Sequence, residues 1–217
     1  KIVFFNRPFD NSKISPSSAY GGAVDQRGYG PTRAAEYGAV AVVVRSMTGR
    51  LDDVPHTGVT QYIEDTIPGI AISTRAADRL AQALDEGPTR LFIEMDCKNL
   101  EPVTSYNVIA DFKGTDPSAP YILLGGHLDS WDVGTGAHDD GAGCVHALEV
   151  MHQIKQLGYQ PKRTIRCVMF MNEENGLRGG RAYWKASNEA GEYHLAAIES
   201  DRGGFSPRGF TADGHEE

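Results

Sequence analysis

The densest chemistry in this 217-residue chain lies in YILLGGHLDSWDVGTGAHDDGAG, Tyr121 to Gly143. An apolar run of strand type, Tyr121-Ile122-Leu123-Leu124, is halted by Gly125-Gly126. His127 follows, with Asp129 two residues on and Asp139-Asp140 at the end of a glycine-rich loop. Imidazole and carboxylate are the side chains that hold zinc or a similar divalent ion, and loops at strand carboxyl ends are where open α/β sheets keep their ligands. Two further apolar runs end the same way. Arg163 to Met171 leads into Asn172-Glu173-Glu174, and Leu195 to Ile198 leads into Glu199-Ser200-Asp201. If the three runs are neighbouring parallel strands, His127, Glu173, Glu174 and Asp201 converge on one sheet edge and the loop brings in Asp139. Singly, each feature is ordinary: Asp-Asp-Gly is a turn signal, paired acids start solvated helices, and a lone histidine is most often a surface residue. Their recurrence at successive strand ends points to a metal site.

GGHLDSWDVGTGAHDDGAG, then NEENGLRGGRAY, then ESDRGGF resemble the zinc aminopeptidase family, and within it the plasma glutamate carboxypeptidase (carboxypeptidase Q) branch. The resemblance implies that His127, Asp139 and Asp201 hold one zinc, that Asp139 bridges to a second zinc also held by Glu174, and that Glu173 is the catalytic general base. It also implies a cis peptide between Asp139 and Asp140. The family's second zinc takes a further histidine well beyond the Asp201 position. His215 stands too early for that, so the second site is expected to be incomplete within these residues. Asn172 and Gly180 depart from the small residue and the serine that relatives often carry there.

The chemistry expected of such a site is hydrolysis. A carboxylate shared by two dications holds one water from both sides and lowers its pKa toward ~7, giving a metal-bridging hydroxide at neutral pH. A glutamate that is not a ligand takes the proton and passes it to the leaving amine. Which of Glu173 and Glu174 does which rests on the resemblance. Asp129 is expected to support His127 by accepting its free ring N–H, and Asp140 to support Asp139. The expected function is a dizinc exopeptidase acting on dipeptides or short peptides with free termini. The alternatives are a broader aminopeptidase on longer peptides and a non-catalytic receptor-like relative, against which the retained ligand residues argue. Cobalt or manganese would also suit these donors.

Composition narrows the partners. The chain carries 29 acidic and 21 basic residues, a formal charge of −8, with no Lys/Arg run, which disfavours nucleic acid and anionic membrane. The longest purely apolar run, Ala39 to Val44, is far too short to span a bilayer. A peptide substrate is the expected partner, and the resemblance leaves a homodimer open. It also places the protein outside the cytoplasm, secreted or periplasmic, with the signal peptide expected to lie outside these residues, since Lys1 to Phe5 reads as a strand. Cys97, Cys144 and Cys167 are odd in number and imply no disulfide framework.

The positioning elements read as an α/β fold in two domains. Residues 99–217 form the catalytic domain, with a mostly parallel central sheet, flanking helices and an expected truncation at the C-terminus. Residues 1–98 form a smaller α/β lobe with a return strand. There, strands are expected at Lys1 to Phe5, Ala39 to Arg45 and Ile67 to Ile72, with one helix entered at Gly30-Pro31 and stopped at Gly38, and another capped by Ser73 or Thr74 and ended near Gly87. The stretches GAVAVVV and IPGIAI resemble a protease-associated domain missing its first part, which in relatives flanks the catalytic cleft. Thr89 to Met95 alternates as a strand, Asn99 to Ser105 is the expected boundary, and Tyr106 to Phe112 is another strand. Ala142, Val145, Leu148, Met151, Ile154 and Leu157 recur at helical spacing, predicting a core-facing stripe.

Overall fold

The computed structural model describes every residue except 57, 63–66, 99, 133, 202, 208, 213 and 215–217. His215 and Asn99 therefore lie outside the described residues. The chain divides into two compact units, Lys1–Glu101 and Pro102–Glu217.

The first unit is a three-stranded parallel sheet, ordered β1 (Ile2–Phe5), β2 (Ala41–Arg45), β3 (Gly69–Ile72). The central strand is the apolar run AVVVR, and Val42, Val43 and Val44 are buried, as a strand covered on both faces requires. Helices α1 (Pro16–Gly21), α2 (Asp25–Gly28) and α3 (Gly30–Glu36) connect β1 to β2. Pro31 sits in the first turn of α3, where its missing N–H costs nothing, and Gly38 takes the left-handed φ of 75° that turns the chain back. After β3 the Ser73 hydroxyl accepts from the Ala76 N–H at 3.0 Å, starting α4 (Thr74–Glu86). The strand expected over Thr89 to Met95 does not form. Those residues run irregularly and are mostly exposed. Alternation describes a half-buried ribbon, and among the described residues no neighbouring strand pairs with it to bury it.

The second unit holds a four-stranded sheet in the order β4 (Val108–Phe112), β6 (Ile165–Phe170), β5 (Tyr121–His127), β7 (His194–Glu199). β6, β5 and β7 are parallel and adjacent, and β4 is antiparallel at the edge. The sheet is thus mixed, and the three strands that end in ligand-type residues share one carboxyl edge. Register makes this concrete: His127 lies opposite Phe170, and Gly125 opposite Glu199. Helix α5 (Ala142–Gln156) carries the chain from β5 to β6, and α6 (Arg178–Glu189) from β6 to β7.

The inward face of α5 differs from the expected stripe. Gly143, Cys144 and Ala147 are buried and Met151 packs against their cluster, whereas Val145 and Leu157 are 61% and 77% exposed. Small residues win this face because the helix start presses onto β5. A Cβ on Gly126 would come within 2.8 Å of the Cys144 nitrogen, and one on Gly143 would strike the Ser200 carbonyl oxygen. Counting the larger apolar residues selects a different face from the one that fits. Cys144 and Cys167 are buried free thiols in the same cluster.

Candidate metal centre

His127 is the last residue of β5 and only 1% exposed, so its ring is fixed by packing as much as by bonds. Its Nδ1 lies 2.8 Å from the Asp129 carbonyl oxygen, which can only accept, so Nδ1 carries a proton and Nε2 faces the site. Around Nε2 stand Asp139 Oδ1 at 3.0 Å, Asp201 Oδ1 at 3.2 Å and Glu173 Oε2 at 3.9 Å. One donor atom each from His127, Asp139 and Asp201 fits within a 4.8 Å sphere of mutual distances. Glu174 belongs to the same neighbourhood, since Asp139 and His127 both perturb its carboxyl, and its Oε1 is buried without a hydrogen-bond partner. An acceptor buried in this way is costly unless something positive meets it.

The loop between His127 and α5 delivers the aspartates. Asp139 and Asp140 have non-helical backbone angles, and the peptide between them is cis, as the resemblance implies. Asp139 is 64% exposed. Asp140 is buried, and its carboxylate accepts the His127 N–H at 2.9 Å and the Gly143 N–H at 3.0 Å. It therefore ties the strand end to the helix start rather than bracing the Asp139 carboxylate, as expected from sequence. Asp129 departs from expectation too. Its carboxylate, 3.8 Å from His127 Nδ1, instead accepts the N–H groups of Glu173 at 2.9 Å and Glu174 at 3.2 Å. The reason lies in backbone demand: the turn after β6 has left the sheet, its amides need acceptors, and the ring N–H is already served by the carbonyl.

Three supports were not visible in the sequence. Asn107, just before β4, accepts the Met171 N–H at 2.9 Å and donates to the Gly179 carbonyl at 2.9 Å, closing the turn that holds both glutamates. The Cys144 thiol donates to the His127 carbonyl at 3.2 Å. Glu199, paired with Gly125, adds another acid whose carboxyl is held up by burial and by Asp201. No spacing rule marks any of them. A hydrogen-bonding residue immediately before an edge strand is the one signal that would have suggested Asn107.

The electrostatics show a site short of positive charge. Burial opposes the charge on His127, yet the Asp129 carbonyl and the Asp201, Glu173 and Asp140 carboxylates outweigh it and lift the imidazole to about 9. Burial, then Asp139, pushes Glu174 up to about 7. Burial and neighbouring acids also raise Glu173, and burial raises Asp140. The acids that draw a proton onto Nε2 would equally draw a cation in its place, and with the converging carboxylates and an orphaned buried oxygen this donor set fits zinc.

Comparison with known proteins agrees with this chemistry. The sequence profile of peptidase family M28 matches residues 107–215. Over its whole length the chain is similar to carboxypeptidase Q of Xenopus laevis, 37% identical over 220 residues, and to carboxypeptidase Q of Homo sapiens, 34% identical over 220 residues. Each match covers 100% of this chain and 45% of the relative, so the chain spans less than half the length of these curated relatives. A probable leucine aminopeptidase 2 of Aspergillus oryzae is 34% identical over 114 residues, 52% of this chain and 22% of that protein. The crystal structure of a peptidase M28 precursor from Shewanella amazonensis SB2B superposes with a TM-score of 0.81 at 37% identity, covering 94% of this chain and 46% of that one.

Proposed function

This chain belongs to peptidase family M28, and on that footing we propose that the protein is a dizinc exopeptidase hydrolysing dipeptides or short peptides with free termini. The observation that carries the reading is the convergence of His127 Nε2, Asp139 and Asp201 within 4.8 Å, with Glu173 at its margin and the orphaned Glu174 oxygen beside it. His127, Asp139 and Asp201 would hold one zinc, and Asp139 and Glu174 would contribute to a second. When bound, zinc would supply a Lewis acid for the scissile carbonyl and acidify a water.

The protein's own groups do the remaining work. Glu173 is the general base: it takes a proton from water at the site and delivers it to the leaving amine. Its carboxyl, raised by burial, is suited to both halves of that transfer. Asp129 fixes Glu173 and Glu174 through their backbone amides and, through its own carbonyl, sets the His127 tautomer. Asp140 locks the His127 backbone to the start of α5. We read residues 1–98 as a protease-associated lobe and 99–217 as the catalytic domain, in a secreted or periplasmic protein. No helix among the described residues is long and apolar enough to cross a membrane.

Hydrolysis of a dipeptide panel by the zinc-loaded full-length protein, set against end-blocked dipeptides and longer peptides, tests the proposal. Cleavage of free dipeptides alone supports it. Trimming of long peptides from the amino end would favour a broad aminopeptidase, and no hydrolysis at all would sink the exopeptidase reading.

A further inference from the structure

We propose that His138 is a positioning residue: it clasps the loop that follows Asp201 to the loop that carries Asp139, and so sets the spacing of two carboxylates that come from distant parts of the chain. This rests on the reading of Asp139 and Asp201 as metal ligands. Both carboxylates are substantially exposed, 64% for Asp139 and 41% for Asp201, so packing alone does not fix them and their placement depends on how the flanking backbone is held.

On the entry side of Asp201 the backbone is well tied. The Ser200 N–H donates to the Gly125 carbonyl at 3.1 Å, and the Ser200 hydroxyl meets His146 Nδ1 at 2.9 Å. On the exit side the tie is His138. The Gly204 N–H donates to His138 Nδ1 at 3.1 Å, and the Phe205 ring stacks on the imidazole with centroids 4.7 Å apart and planes 15° from parallel. An acceptor Nδ1 places the ring's proton on Nε2. The close approach needs a glycine at 203. Gly203 has a φ of 81°, and a Cβ there would come within 3.0 Å of His138 Nδ1. His138 immediately precedes Asp139 in sequence. One side chain therefore joins the backbone next to one ligand to the backbone three residues after another, and the two loops become a single frame.

The test is zinc affinity, measured by chelator competition on metal-stripped full-length protein, beside the unfolding temperature of the metal-free forms. Loss of a group supporting a metal ligand costs ~10- to 100-fold in affinity. His138→Ala should weaken zinc binding about 10-fold at the low end of that range. His138→Asn puts Oδ1 where Nδ1 stood, keeps the acceptor for Gly204 and should recover most of the loss. Phe205→Ala should fall between Ala and wild type, with metal-free unfolding temperatures unchanged throughout. Wild-type zinc affinity in His138→Ala overturns the clasp, as does an Asn variant no better than Ala, or an affinity loss that simply tracks a drop in metal-free stability. If His138→Ala does not fold, the Asn and Phe205→Ala variants decide by the same criteria. His127→Ala separates the two layers of the argument: if it leaves zinc binding intact, the metal reading fails, and if it abolishes binding while His138→Ala does nothing, only the clasp fails.

Discussion

Removing metal should expose an acid whose ionisation works against the fold. Burial and Asp139 hold Glu174 up to about 7 from an ordinary 4.5, and its Oε1 has no partner. A carboxyl raised in the folded state leaves stability complete below pH 4.5, where it is protonated in both states. The unfolded chain then ionises first, and stability drains away as pH climbs from 4.5 through 7. At 1.36 kcal/mol per pH unit, that rise has a ceiling of roughly 3 kcal/mol. Because the side chain is only half-buried, water screens much of it, and about 1 to 2 kcal/mol is the reasonable share. For a chain of this size each kcal/mol moves the unfolding midpoint by about 2–4 °C, so Glu174 should account for about 2–8 °C of the decline between pH 5 and pH 8. His127, raised to about 9, contributes a separate loss as pH passes 6.5 toward 9, common to wild type and variant. Thermal unfolding of chelator-treated wild type and Glu174→Gln at several pH values isolates the Glu174 share, since Gln cannot ionise. A variant whose midpoint falls with pH as steeply as wild type would refute the reasoning.

Four other outcomes are expected. Glu173→Gln in the full-length protein should lower kcat by ~10²- to 10⁴-fold with KM little changed and its zinc retained, read by steady-state kinetics and metal analysis. Glu174→Gln should instead lose one zinc equivalent after dialysis; if the two variants exchange phenotypes, their roles are reversed. Asp129→Ala frees the amides of both glutamates and should reduce zinc affinity or turnover by ~10- to 100-fold, and an unchanged variant would remove Asp129 from the support scheme. Asp111→Ala strips the bidentate partner from the buried Arg166, at 2.7 and 3.1 Å, but leaves it Glu192 at 2.7 Å, and should cost about 1.5–3 kcal/mol in denaturant unfolding, the scale of losing hydrogen bonds to a charged group.

The sequence disclosed the carboxyl edge of the sheet because parallel strands place their last residues side by side, so three apolar runs ending in acids or histidine already specified a meeting point. His127, Asp139 and Asp201 do meet, and the strands that deliver them are parallel neighbours. What was not legible were contacts set by close approach rather than by pattern. Gly143 and Cys144 turn α5 about its axis, which buries small residues and leaves Val145 and Leu157 outside, and no hydrophobic count anticipates that. The Asp129 carboxylate could be linked to His127 by spacing, but the claim of the Glu173 and Glu174 amides on it appears only when a residue 44 positions away is brought alongside. Thr89 to Met95 has the alternation of a strand, yet strand formation needs a partner edge, which is information that lies outside any local window.

The Arg166 cluster has a bearing on how the sheet chooses its alignment. Arg166 on β6 reaches Asp111 on β4 at 2.7 Å, Glu192 ahead of β7 at 2.7 Å, Tyr183 on α6 at 3.3 Å and the face of Tyr121 on β5 at 4.4 Å, while the Tyr183 hydroxyl meets His194 on β7 at 2.7 Å. One guanidinium on β6 thus touches both neighbouring strands, β4 and β5, together with α6 and the turn ahead of β7. A slip of β6 by one residue would send Arg166 to the opposite face and strand all of these partners together. The cluster acts as a proofreader of register: a misaligned β6 forfeits these contacts at the end of the sheet far from the glutamates, so the alignment that spaces the carboxyl edge is backed from the opposite end.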